Sequence, residues 1–397
     1  MADRVQGKYR GIWLTVSVGL LVTGLLFTSV GVYIVVERSY GSTEVLIGVD
    51  VGYGSASEVY RVADAIRGFA NLIIIGSTGV TGNTTMLIEV CDYLYQQGFH
   101  FIVYVGFGGE ASPFSGPNAT FFGLADSRWG DRFLGVYMFD EVGGKQMDYN
   151  VSNPDKPVPA AKNWHDAAIH YLINVDSFFY LNKQIFYTFP SNLKFCTSDY
   201  ALYWYDFLGG YDTIFCEFVG TDSREVAVGL NRGAAKTLGG SWGTIITYPC
   251  ADGCLESGAQ LYDDMLLAWR SGARYVIVFD GNSTTFSPYG VLTQEHFDAM
   301  KRFWKDVNGG KKYDQFPADV AYVLPADYGY GFRGPSDKIW GLWSADELSP
   351  KVWNEISMLM AKNGGKLDIV YENKTDSIPI DLPYNTLIFW NGTTTHR

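Results

Sequence analysis

The chain has 397 residues, 47% apolar and 18% charged, so it can bury a full core and is not a disordered polypeptide. Its 42 acidic against 30 basic side chains leave a net charge of −12, which repels a phosphate backbone and excludes nucleic acid as a partner. Aromatic residues make up 16%, among them 27 Tyr and 11 Trp, amphipathic rings suited both to core packing and to stacking on sugars.

Residues 11–36, GIWLTVSVGLLVTGLLFTSVGVYIVV, are 26 positions without a charge. At about 1.5 Å per residue a helix of that length crosses a hydrocarbon layer of roughly 30 Å, so a transmembrane helix is expected. Arg4, Lys8 and Arg10 precede it, while Glu37 and Arg38 nearly cancel after it. The positive-inside tendency therefore leaves residues 1–10 in the cytoplasm and sends the rest of the chain outside. The apolar run is about twice a usual signal-peptide core, which favours an uncleaved anchor. The expectation is a single-pass protein of the cell membrane, partnered by lipid through this helix, with an extracellular C-terminal domain.

Six sequons fit that placement: Asn83, Asn118, Asn150, Asn282, Asn373 and Asn391 each begin an Asn-x-Ser/Thr triplet. An oxidising exterior also permits disulfides. Cys250 and Cys254 could close a small loop, Cys196 and Cys216 form a second candidate pair, and Cys91, in an apolar helical pattern, reads as a buried small hydrophobe.

A regular alternation begins at Val45. VLIGVDVG (45–52) is a continuous β-branched run, as in a strand buried on both faces, and a helical pattern follows at 57–69. The pairing recurs with strand 71–76 and helix 84–97, then strand 99–106 and a Gly-, Pro- and Ser-rich loop. Strand 132–140 pairs with the aromatic helix 164–181, strand 184–189 with helix 198–208, and strand 212–219 with helix 224–238. Strand 241–248 pairs with helix 260–270, and strand 273–280 with helix 293–307. Eight such units between residues 45 and 308 predict a closed, eight-stranded parallel β/α barrel. A doubly wound open sheet, the competing layout, usually has fewer strands and a phosphate-binding glycine turn after the first. Beyond the Gly309-Gly-Lys-Lys312 linker, strand 319–324, helix 350–362 and strands 367–371 and 386–390 predict a small α/β accessory domain over 317–397 that packs against the barrel.

In a barrel of this kind the carboxyl ends of the strands converge on one mouth, so the residues there carry the chemistry. Those ends supply Asp50, Asp140, Glu141, Glu217 and Asp280, with Tyr187 and Tyr248 at the ends of the fifth and seventh strands and Trp242 near the start of the seventh. Taken singly, each acid is as readily a helix cap or an arginine partner. Converging, they supply the two carboxyl groups that glycosidic cleavage needs, one protonated and one ionised. Side-chain alternation points only one of Asp140 and Glu141 at the barrel axis. Glu141, just past the strand end, is the expected acid/base, Glu217 the second carboxylate and Asp140 a third catalytic candidate. Asp50, Tyr187, Trp242, Tyr248 and Asp280 are expected to bind substrate.

The segments GVYMFDEVGG (Gly135 to Gly144), Glu217 in a later strand, and ARYVIVFD (Ala273 to Asp280) leading to Tyr289-Gly-Val-Leu and an amphipathic helix ending Phe303-Trp304 resemble the TIM-barrel glycoside hydrolase superfamily. The resemblance covers residues 45–308. It implies hydrolysis of a polysaccharide or other glycan by paired carboxylates. The alternative is a non-catalytic carbohydrate-binding or scaffold subunit, with surface-layer or membrane-complex partners. Other chemistries find less support. The five His residues lack zinc-ligand spacing, no G-x-S-x-G occurs, and Gly106-Phe-Gly-Gly109 opens neither a dinucleotide nor a Walker motif, so no metal or other cofactor is expected.

Overall fold

A computed structural model describes residues 44–105, 119–185, 193–247, 255–281, 287–310, 312–372 and 382–397. The expected transmembrane helix, Tyr187, Tyr248, Cys250, Cys254 and the sequons at Asn118, Asn282 and Asn373 lie outside the described residues. Among those described, no helix is long and apolar enough to cross a membrane.

Residues 45–397 form one compact unit. It opens with β1 (Leu46–Val51), α1 (Ala56–Ile66), β2 (Leu72–Ile75), α2 (Thr78–Thr81), α3 (Thr84–Gln96) and β3 (His100–Val105). The chain continues through α4 (Ala119–Trp129), β4 (Phe133–Met138), α5 (Val142–Asp148), α6 (Trp164–Ile185), β5 (Phe195–Asp199) and α7 (Tyr203–Gly209). The barrel is completed by β6 (Thr213–Phe218), α8 (Arg224–Leu238), β7 (Ser241–Ile246), α9 (Gly258–Arg270), β8 (Tyr275–Asp280) and α10 (Gln294–Asn308). β1 to β8 are neighbours in sequence order, all parallel, and β1 pairs with β8 from Leu46 opposite Tyr275 to Val51 opposite Asp280, which closes the cylinder.

Alternation along the strands divides the apolar residues into two cores. Leu46, Leu72, Ile74, Ile102, Cys196, Phe215, Ile245 and Ile277 fill the barrel interior, while their sequence neighbours, such as Ile47, Val49, Ile73 and Ile214, pack under the helices. β4 carries a bulge: its register against β3 skips a residue between Phe133 and Gly135, which bends the strand and turns Tyr137 inward beside Tyr104, ring centroids 5.4 Å apart.

Two expectations fail here. The fifth strand is Phe195–Asp199, because α6 continues through Gln184 and Ile185, where the strand was expected to begin. The Cys196–Cys216 disulfide is also ruled out, since both thiols are free and buried. Cys196 lies opposite Thr213, three positions before Cys216, which is about 10 Å along a strand and beyond disulfide reach. The two side chains also belong to different cores, Cys196 inside the barrel and Cys216 under the helices. Cys91 is a free, buried thiol.

The C-terminal part holds β9 (Val320–Leu324), α11 (Leu348–Asn363), β10 (Leu367–Tyr371), β11 (Thr386–Phe389) and an additional β12 (Thr394–His396), in the order β10-β9-β11-β12 with only β12 antiparallel. It is fastened to the barrel by Arg232 of α8. That guanidinium donates to Asp368 at 2.7 Å and to the carbonyls of Phe316 (2.9 Å) and Gly365 (2.8 Å), while the Tyr384 hydroxyl donates to the other Asp368 oxygen at 2.8 Å. Asn83, Asn150 and Asn391 are exposed, and Asn83 caps α3 by accepting the Met86 N–H.

Candidate active site

A cavity of about 540 Å³ opens at the carboxyl ends of the strands. Asp50 of β1 and Glu217 of β6 reach it because each sits two positions on from an inward glycine or aromatic, Gly48 and Phe215 respectively, and so points at the barrel axis. Ser198 of β5 follows inward Cys196 by the same rule. Tyr104, Tyr137, Thr78 and Thr247 complete much of the polar wall.

Asp140 and Glu141 both line the cavity, against the expectation that only one would. The alternation ends with β4 at Met138. Phe139 and Glu141 then adopt left-handed backbone conformations, each with φ of 56°, at about 1 kcal/mol or more apiece for residues with a Cβ. This double reversal swings the two carboxylates to the same side. The neighbouring strand end holds the turn in place. The Asp199 carboxylate accepts the N–H groups of Gly143 (2.6 Å), Gly144 (2.8 Å), Tyr200 (2.8 Å) and Ala201 (3.1 Å), and the Glu141 N–H donates to the Ser198 carbonyl at 3.0 Å. Gly143 and Gly144 are needed there, since a Cβ on either would fall within 2.3 Å of Ala201 or of the Tyr200 ring.

Hydroxyl groups join the acids. Ser198 Oγ lies 2.6 Å from Glu217 Oε1, 3.1 Å from Asp140 Oδ1 and 2.9 Å from the Tyr137 hydroxyl, and Tyr137 donates to Asp140. Ser198 has one proton, and the shorter contact assigns it to Glu217, leaving Asp140 to be served by Tyr137. Burial, then the charge of Asp140, push Glu141 up to about 7, against the pull of Lys145. Glu217 is pushed up by burial, then by Glu141 and Asp140, with the Ser198 hydrogen bond opposing. Lys145 donates to the Asp140 carbonyl rather than to any mouth carboxylate.

Two expected site residues are elsewhere, for reasons of parity. Trp242 is the second residue of β7, at the far end from the mouth, and packs under the helices. Asp280 is wholly buried on the outward side of β8, where it accepts the Val291 N–H at 2.9 Å; burial pushes it up to about 7. Tyr137, Ser198 and Asp199 are the functional residues that sequence reasoning missed. Placing the fifth strand at the polar FCTSD segment would have found the last two.

No family model and no curated protein matches the chain. Solved structures do. A β-galactosidase from Rahnella sp. R3 superposes with a TM-score of 0.56 at 11% identity, covering 88% of this chain and 67% of that one. A GH5_18 protein from Streptomyces cattleya, solved in complex with Manb1-4GlcNAc, gives 0.55 at 10% identity over 88% of this chain and all of its own. A β-galactosidase from the haloarchaeon Halorubrum lacusprofundi gives 0.53 at 10% identity over 87% and 68%. With its eight parallel strands closed in sequence order, the chain has the TIM-barrel fold of these glycoside hydrolases.

Proposed function

We propose that this protein is a membrane-anchored glycoside hydrolase acting outside the cytoplasm, with Glu141 as acid/base and Glu217 as the second carboxylate. The observation that carries the reading is the convergence of Asp50, Asp140, Glu141 and Glu217 on one cavity at the barrel mouth. A carboxyl group held near 7 is protonated in about half of the molecules at neutral pH, and the protonated form can pass its proton to the glycosidic oxygen as the C1–O bond breaks. Glu217 takes the second place by its position: its Oε1 accepts from Ser198, which opposes the upward push of burial and of the neighbouring acids, and in its ionised form it meets C1 or the water that attacks it. Where Glu217 bonds to C1, the deprotonated Glu141 takes up the proton of the water that later breaks that bond and is restored; where Glu217 activates the water directly, Glu217 takes that proton and Glu141 regains its own from solvent. Asp140 acts through Glu141 as a positioning residue, because its charge raises the neighbour's proton affinity. The Manb1-4GlcNAc bound by the Streptomyces cattleya protein supports a glycan as the ligand class.

The test is hydrolysis of a broad glycan panel by the full chain and by Glu141→Gln and Glu217→Gln. Each variant is expected to lose at least about a hundredfold in kcat with its fold intact. Hydrolysis that survives both changes, or that the unaltered protein never performs, defeats the enzymatic reading in favour of a carbohydrate-binding scaffold. The anchor at residues 11–36 rests on the sequence alone and is tested separately: in intact cells, added protease should remove the domain, and cleavage after residue 43 should release it from membranes.

A further inference from the structure

The mouth holds more acid than hydrolysis uses. Glu141 and Glu217 suffice for the reaction, and Asp140 is served by the Tyr137 hydroxyl. Asp50 has neither task. It is 3% exposed, lines the cavity, and its Oδ1 has no hydrogen-bond partner. The surroundings were left bare for it: a Cβ on Gly76, which also lines the cavity, would fall 2.3 Å from that oxygen. No Lys, Arg or His lines the cavity among the described residues.

A neutral sugar would offer hydroxyl donors to this site but give Asp50 no positive partner beside which it could ionise in a largely desolvated space. A uronate or sulfated sugar would add to the charge. Among the described residues no three acidic, His or Cys groups are close enough together to clasp a metal ion, so a divalent cation is poorly matched to the wall. A ligand-borne ammonium supplies the missing charge together with N–H donors.

We propose that the cavity selects glycans carrying a free amino group, that is, an N-unsubstituted hexosamine, with Asp50 as the carboxylate that receives the ammonium. This rests on a glycan occupying the cavity, not on its being hydrolysed. The chain's net charge of −12 favours the approach of such a polycationic glycan. Burial, with Asp140 and Asp280 nearby, pushes Asp50 above the ordinary carboxylate range, so an arriving ammonium makes Asp50 give up its proton to solvent. Binding thus releases protons, which acetylation of the amine abolishes.

The experiment is isothermal titration of the full-length protein with a β-1,4-linked glucosamine oligomer, its N-acetylated counterpart and a neutral glucose oligomer of equal length, in two buffers of different ionisation heat. The glucosamine oligomer is expected to bind at least about thirtyfold more tightly than the other two, the difference a newly formed buried charge pair makes, with heats that depend on the buffer. Asp50→Asn is expected to erase the preference. Equal or tighter binding of the acetylated or neutral oligomer, or no binding of glucosamine oligomers, overturns the proposal, and that comparison needs no variant to fold. Amino-selective binding without hydrolysis of any glycan would sink the hydrolase reading and leave this one standing. Hydrolysis of neutral glycans with no amino preference does the reverse.

Discussion

Behind the barrel, Asp368 of β10 is wholly buried and meets the Arg232 guanidinium at 2.7 Å and the Tyr384 hydroxyl at 2.8 Å. At the mouth, Asp50 and Glu217 are nearly as deeply buried, at 3% and 8% exposure, and among the described residues neither pairs with a cation. A buried ion is tolerated when its charge and its lone pairs are both satisfied, and it raises the free energy of the fold when they are not. Asp368 satisfies that condition and serves as a fastening between barrel and C-terminal sheet. The mouth acids do not, so their arrangement is explained by a ligand or a reaction rather than by stability.

Breaking the fastening is expected to have the largest effect. Arg232→Met strands a buried carboxylate and should lower stability by about 3–5 kcal/mol, read as a fall in the urea midpoint. An unchanged midpoint would remove the contrast between the two sites. At the mouth the sign reverses. A carboxyl held above its unfolded value stabilises the fold fully below that value and loses the contribution as pH rises through the folded one. For Glu141 that window runs from 4.5 to about 7. Glu141→Gln should therefore be at least as stable as the parent at pH 8 and show less decline in Tm between pH 5 and 8; a lower Tm across that range would mean the acid is structural. A smaller shift comes from Lys145, whose charge pulls Glu141 down. Lys145→Met should move the alkaline limb of hydrolysis upward by about half a pH unit, since the limb reports the acid that must stay protonated. The smallest effect is chemical: Cys91, Cys196 and Cys216 should resist iodoacetamide in the folded protein and react once it is denatured, whereas an intact Cys196–Cys216 bridge would block the two even then.

How much of this could be read from residues alone differs along the chain. VLIGVDVG, NLIIIG and ARYVIVFD announce strands because β-branched runs closed by glycine or acid fit little else, and the barrel follows from their number. Period-two parity, carried through, also separates inward Asp50 and Glu217 from outward Asp280 and Trp242. The fifth strand resisted because QIFYTF looks more strand-like than FCTSD, while α6 continues into its first residues and the polarity of FCTSD belongs to the site itself. The turn at Phe139 and Glu141 was illegible for another reason. Neither residue type favours a left-handed backbone, so only the surrounding clamp at Asp199 accounts for it.

That turn bears on how such a protein can change. Glycine accepts the φ of 56° at position 141 without the penalty a glutamate incurs, so Glu141→Gly both relaxes the backbone and deletes the proton donor. Few sites let a single codon trade chemistry for robustness so directly. A working hydrolase and an inert sugar-binding descendant would then stand one mutation apart, with drift toward greater stability favouring the second.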